Sequence, residues 1–155
     1  MTTHDLPRWL SSDVREKIEA TRAIAAWEFV LIAAAGSPGR INRPLIKALG
    51  DRGVLGQIFP TDGSVSAVTL CALREGLAGG STDAETAFAL QGLGSYPIVQ
   101  SGSDDLRQHW ISGVARGEIV AGFALTEPDA GTDAAALSLV AEKVDGGYRL
   151  SDSKK

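Results

Sequence analysis

The sequence predicts an α+β chain, mostly α. A helical domain of about five helices, residues 1–118, is followed by the first strands of a β-domain, residues 119–155. Three observations predict it. Apolar residues recur at three- and four-residue steps from Val14 to Ala115, the spacing of one helix face. Ser, Asn or Asp stands before each such stretch, and glycine stands after it, as helix caps and stops require. Only beyond Gly117 does the pattern change, to a short apolar run, an alternating run and an Asp-Gly-Gly turn.

Ser11-Ser12-Asp13 offers N-caps for a first helix from about Ser12 to Ala35. Val14, Ile18, Thr21, Ala25, Glu28 and Ile32 mark one face, with Ile24 and Leu31 beside it. Trp9 and Trp27 read as packing residues, and Gly36-Ser37-Pro38-Gly39 stops the helix. Asn42 caps the second helix, whose first turn tolerates Pro44 because the N–H that proline lacks is unpaired there anyway. Leu45, Ile46 and Leu49 face inward, and Gly53 ends it. Val54 to Phe59 is a short buried connector, and Pro60-Thr61-Asp62-Gly63 a turn.

The third helix starts at Ser64 or Ser66 and ends at Gly79-Gly80, with Val68, Cys71, Ala72 and Glu75 on one line. Cys71 reads as a small core residue. Ser81-Thr82-Asp83 caps the fourth helix, Thr82 to Gly94. Its Ala87, Leu90, Leu93 and Gly94 form a small-residue face that allows close packing or leaves room for a ligand. Ser103-Asp104-Asp105 caps the fifth, which runs through Trp110 to Ala115 and stops at Gly117. Its acidic start and Arg116 at its end suit the helix dipole.

Ile119 to Leu125 then reads as a strand, and Leu137 to Val144 as a second, alternating one. Asp145-Gly146-Gly147 is a hairpin turn into a return strand from Tyr148 to Leu150. Between the strands lies Thr126-Glu127-Pro128-Asp129-Ala130-Gly131-Thr132-Asp133. Pro128 ends pairing. Small residues, one glycine and a hydroxyl follow. Such a loop can carry backbone N–H groups to a flat ring or a phosphate. It can equally be a surface turn with Thr132 or Asp133 capping the next element. Two and a half strands leave an open edge, so the chain reads as cut short, or else its last strands pair with another chain.

Composition narrows the function. Fifteen basic and 19 acidic residues give a net charge of −4. No basic face appears, which argues against a nucleic-acid partner. Cys71 is the one cysteine, so no intrachain disulfide is possible, which fits a reducing cytoplasm. His4 and His109 make no metal-ligand pair, and no metal is expected. The apolar run Phe29 to Ala35 is far shorter than the ~20 residues of a membrane span. The first residues lack the basic and apolar regions of a secretory signal.

Phe123-Ala124-Leu125-Thr126-Glu127-Pro128-Asp129-Ala130-Gly131-Thr132-Asp133 closely resembles the flavin-loop signature of the acyl-CoA dehydrogenase family, with Thr132 where that signature has serine. The approach from Gly102-Ser103 to Gly117-Glu118 is similar to the family's, departing around Trp110-Ile111. Gly147-Tyr148-Arg149-Leu150 with Lys154 resembles its G-Y-x-L-N-G-x-K, with Ser151-Asp152 in place of N-G. The resemblance implies a helical N-terminal domain, a central β-domain and a C-terminal bundle, of which this chain matches the first part.

It also implies FAD as cofactor and α,β-dehydrogenation of an acyl-CoA thioester as the reaction. Leu125 and Thr126 would lie against the flavin ring, and Phe123 near ring and thioester. Gly131 would allow close backbone approach. Thr132 would reach the pyrophosphate and the CoA side. Ala87, Ala89 and Leu90 would line the acyl pocket. Glu127 would be structural, and the catalytic glutamate of the family has no counterpart here, so these residues alone would neither turn over substrate nor hold FAD tightly. Implied partners are the acyl thioester, an electron-transfer flavoprotein or other acceptor, and further copies of the chain in a homotetramer. Alternatives are a dehydrogenase for carrier-protein thioesters, an oxidase or monooxygenase of the same fold, and a non-catalytic helical interaction module.

Overall fold

The computed structural model describes residues 6–7, 9–59 and 65–155. The expected turn at Pro60–Gly63 and a helix start at Ser64 lie outside them. The chain divides into two compact units, Met1–Gly122 and Phe123–Lys155. The first is helical, and the second holds a two-stranded antiparallel sheet.

The first helical body is α1 (Ser12–Ile24), a π turn (Ala25–Phe29) and α2 (Val30–Ala34), running on without a break. Ser11 Oγ accepts the Val14 N–H at its start. The expected single helix is therefore present, with one widened turn inside it. Ala25 and Phe29 are fully buried there. Trp27, between them, points outward and is 82% exposed, while Trp9 is 81% exposed. Neither is the packing residue expected. Indole bulk alone does not bring a side chain inward; its angular place on the helix decides.

α3 (Arg43–Asp51) begins at Asn42, whose Oδ1 accepts the Leu45 N–H and whose Nδ2 donates to the Ile32 carbonyl. One side chain thus caps α3 and ties it to α2. A 3-10 turn (Leu55–Ile58) follows, with Leu55 and Ile58 buried as the connector reading requires. α4 (Ala67–Gly80) starts at the Ser66 cap. Its buried residues are Ala72, Leu73, Gly76 and Leu77, a face turned by about one residue from the expected one. Glycine contacts set that turn. A Cβ on Gly76 would stand 2.6 Å from the Ile18 carbonyl, and one on Gly80 2.5 Å from the Ala26 nitrogen. α1 and α4 approach too closely for larger residues, so Cys71 is left exposed rather than in the core.

α5 (Thr82–Ser101) starts where Ser81 Oγ accepts the Ala84 N–H, and it continues past Gly94 through Pro97. Ala84, Phe88, Gln91 and Ser95 form its buried stripe. α6 (Asp104–Ala115) is capped by Ser103, and Gly117 at φ +67° closes it. Phe29, Leu49, Leu55, Leu73 and Leu77 are the large apolar side chains fully out of solvent. Each such burial contributes about 1.5–3 kcal/mol, and they hold the helices into one core.

The expected strand Ile119–Leu125 does not form. A strand needs a neighbour's backbone groups, and here a side chain takes that place. Gln91 Nε2 donates to the Ile119 carbonyl (2.9 Å), and the Ala121 N–H donates to Gln91 Oε1 (2.7 Å). The second expected strand is shortened to β1 (Ala141–Val144), after a 3-10 turn at Ala134–Ala136. β1 pairs with β2 (Gly147–Leu150) from Ala141 opposite Leu150 to Val144 opposite Gly147. Gly146 takes φ +78° in the hairpin turn, which a β-carbon would disfavour.

Candidate functional site

The loop from Phe123 to Asp133 is organised by one carboxylate. Glu127 is 4% exposed. Its Oε2 accepts the Ser138 N–H (2.7 Å) and hydroxyl (2.8 Å). Its Oε1 accepts the Leu139 N–H (3.0 Å) and Lys154 Nζ (2.7 Å). Those N–H groups are therefore spent on Glu127 instead of a sheet ladder, which is why β1 starts late. The Lys154 hydrogen bond first, then those from Ser138 and Leu139, hold the carboxyl down at about 2 against the opposing effect of burial. A group so placed is a fixed anion at neutral pH and a poor proton acceptor. The structural reading of Glu127 matches this geometry.

The loop's own backbone is tied from the same side. Lys154 Nζ donates to the Leu125 carbonyl (3.0 Å), and the Lys155 N–H donates to the Thr126 carbonyl (2.8 Å). The Glu127 N–H donates to the Ala130 carbonyl (2.8 Å), closing the turn over Pro128. The N–H groups of Leu125 and Thr126 and the hydroxyls of Thr126 and Thr132 have no acceptor among the described residues. Phe123, Leu125, Thr126, Gly131 and Thr132 are all exposed. Asp133 Oδ1 accepts the Ala135 N–H, so it caps the 3-10 turn. Gly131 does not adopt a positive φ, and an added Cβ would meet only the Thr126 methyl, at 3.5 Å. No contact among the described residues demands glycine at that place.

The expected acyl residues lie on α5, in the helical unit. Ala87 and Leu90 line a hollow of about 600 Å³ with Ile41, Asp83, Thr86 and Val120. Ala89 lines a second hollow of about 420 Å³ with Phe59, Leu70, Phe88, Leu93 and Tyr96. The helical rotation separates them, so the structure brings Ala87 and Leu90 together but not Ala89. Gly94 lets α5 touch the backbone at Gly122, where a Cβ would come within 2.7 Å. Sequence reasoning missed Gln91, the buried amide that holds the segment leading to the loop. Its signal was available: a long polar side chain on an otherwise small and apolar helix. Among the described residues no helix is long and apolar enough to cross a membrane.

Residues 11–118 match the family model described as "Acyl-CoA dehydrogenase, N-terminal domain". The chain is 29% identical over 118 residues to a glutaryl-CoA dehydrogenase of Desulfococcus multivorans, covering 70% of this chain and 30% of that protein. It is 29% identical over 116 residues to a benzylmalonyl-CoA dehydrogenase of Aromatoleum aromaticum, covering 72% and 31%. The chain thus spans about a third of the length of these curated relatives. Among solved structures, glutaryl-CoA dehydrogenase from Mycobacterium smegmatis superposes with a TM-score of 0.79 at 26% identity, over 94% of this chain and 39% of that one. With the helical order, the caps and the loop sequence in place, the chain belongs to the acyl-CoA dehydrogenase family.

Proposed function

We propose that this chain supplies the flavin loop and part of the acyl-binding region of an FAD-dependent acyl-CoA dehydrogenase. The reaction would be α,β-dehydrogenation of an acyl thioester. The observation that carries this reading is the loop's donor set. Leu125 and Thr126 offer two backbone N–H groups, and Thr126 and Thr132 two hydroxyls, on exposed residues with no acceptor among those described. Such donors suit the acceptor-rich edge of an isoalloxazine ring and a pyrophosphate. FAD, when bound, would take up the hydride from the β-carbon.

The chain's own residues would hold and orient. The Leu125 and Thr126 N–H groups and the Thr126 hydroxyl would donate to the ring's polar edge. Donors aimed where negative charge grows favour the reduced ring. Phe123 would cover the ring near the thioester, Gly131 would leave room for close approach, and Thr132 would donate to phosphate. Ala87 and Leu90, with their hollow of about 600 Å³, offer an apolar wall for an acyl chain, and Ala89 offers another in the second hollow. The thioester is carried by CoA or by a carrier protein. Electrons would leave to an electron-transfer flavoprotein or another acceptor, and the working protein would be a homo-oligomer.

Glu127 is not the base, since its carboxylate is held at about 2 by Lys154 and three further hydrogen bonds. The α-proton therefore goes to a group other than Glu127, and these residues alone are expected to be inactive. Titrating FAD into the native gene product that carries this sequence should quench flavin fluorescence to a defined stoichiometry. Acyl-CoA should then bleach the flavin. Absence of FAD binding by that product would remove the proposal. Dye reduction by the isolated 155-residue chain with acyl-CoA would refute the statement about the base.

A further inference from the structure

We infer that Lys154 is a positioning residue for flavin, setting the direction of the Thr126 N–H by holding the other end of the same peptide group. This rests on the loop being the flavin loop, as proposed above. The peptide bond is planar and trans, so the carbonyl of Leu125 and the N–H of Thr126 point in opposite directions. Lys154 Nζ binds that carbonyl at 3.0 Å. The Thr126 N–H is thereby turned away from Lys154, and it meets no acceptor among the described residues.

The next peptide is set in the same way. The Lys155 N–H holds the Thr126 carbonyl at 2.8 Å, and the Glu127 N–H on its far side is used by Ala130. Of these two adjacent donors, one is consumed by the turn and one is presented outward. Lys154 reaches the Leu125 carbonyl because Glu127 anchors its ammonium group, at 2.7 Å. Glu127 in turn is fixed by Ser138 and Leu139. Lys154 is largely buried, at 21% side-chain exposure, so its placement is not that of a freely moving surface lysine. The arrangement runs from the segment before β1, through one carboxylate and one ammonium group, to a single peptide plane.

The test uses the native gene product with FAD. Lys154→Met keeps the side chain's length and removes both hydrogen bonds. It is expected to raise the Kd for FAD roughly tenfold, the effect of losing one well-placed hydrogen bond. The visible absorption bands of the bound flavin should also shift, and its midpoint potential should fall, because a donor to the polar edge of the reduced ring is no longer aimed. Lys154→Gln keeps a donor for the Leu125 carbonyl and is expected to restore the bands. Val144→Ala takes no part in these hydrogen bonds but loosens β1. It should lower stability with affinity, bands and potential unchanged.

If Lys154→Met binds FAD with wild-type Kd, bands and potential, the inference is wrong. It is equally wrong if Val144→Ala moves the flavin signals as far as Lys154→Met does. If Lys154→Met does not fold, wild-type bands in Lys154→Gln support the inference and altered bands overturn it. Failure of the unmodified protein to bind FAD at all removes the functional reading itself, and this inference with it.

Discussion

The two units of this chain are held by different physics. The helical unit buries large apolar side chains, among them Phe29, Leu49, Leu55, Leu73 and Leu77, in one cluster. The unit from Phe123 to Lys155 buries, among its described residues, only Ala130 and the carboxylate of Glu127. Val140, Tyr148 and Leu150 stand in solvent there. Apolar burial is spread over many contacts and is non-directional. A buried carboxylate concentrates order in a few directional bonds and becomes costly when one partner is removed. The first unit should therefore lose stability at any of many core positions, each according to its burial, and the second chiefly at one residue.

The largest effect expected is in the helical core. Leu49→Ala, at a fully buried position, should cost about 2–5 kcal/mol, measured by denaturant unfolding followed through helical circular dichroism. The hairpin amides should exchange at their former rates, because the packing lost lies within the helical unit. Glu127→Gln should act the other way round. It should speed exchange and proteolysis through residues 123–155 while the helical signal stays. Equal loss in both units would mean that they unfold as one.

Acid provides the same contrast without mutation. The folded Glu127 carboxyl lies below its ordinary value of 4.5, at about 2. Its stabilising contribution is complete above the ordinary value and fades as pH falls through the folded one. Protection of the Ser138 and Leu139 amides, measured relative to the intrinsic rate at each pH, should be level above pH 4.5 and decline toward pH 2. A decline centred near the ordinary value would show that Lys154 does not hold the carboxyl.

Smaller effects belong to the helix ends and the surface. Asn42→Ala removes the α3 cap and the bond to the Ile32 carbonyl. It should cost about 0.5–2 kcal/mol, read as a shift in unfolding midpoint. Arg149→Ala breaks an exposed cross-strand pair with Glu142 (3.6 Å). It should change stability by about 0–1 kcal/mol, and that small change should vanish in high salt.

The sequence alone determined the helices and their starts. Ser11, Asn42, Ser66, Ser81 and Ser103 each cap the helix they precede, because capping is a local exchange between a side chain and the next turn's N–H groups. It determined the hairpin at Asp145-Gly146 and, through the loop's residue order, the family. Only the tertiary structure decided which faces are buried. Trp27 and Cys71 are outside because a π turn and the glycines Gly76 and Gly80 set how α1 and α4 meet, and such contacts lie far apart in sequence.

Tertiary structure also decided that Ile119–Leu125 is no strand. Its backbone partners come from Gln91, 28 and 30 residues earlier, and no local pattern announces them. Glu127 and Lys154 were legible as motif positions. Their bond spans 27 residues, and it exists because a charge leaving water must find its counter-charge nearby. Periodicity and caps act over one turn of chain, so they can be read in order. Burial and ion pairing act across space, so they wait for the fold.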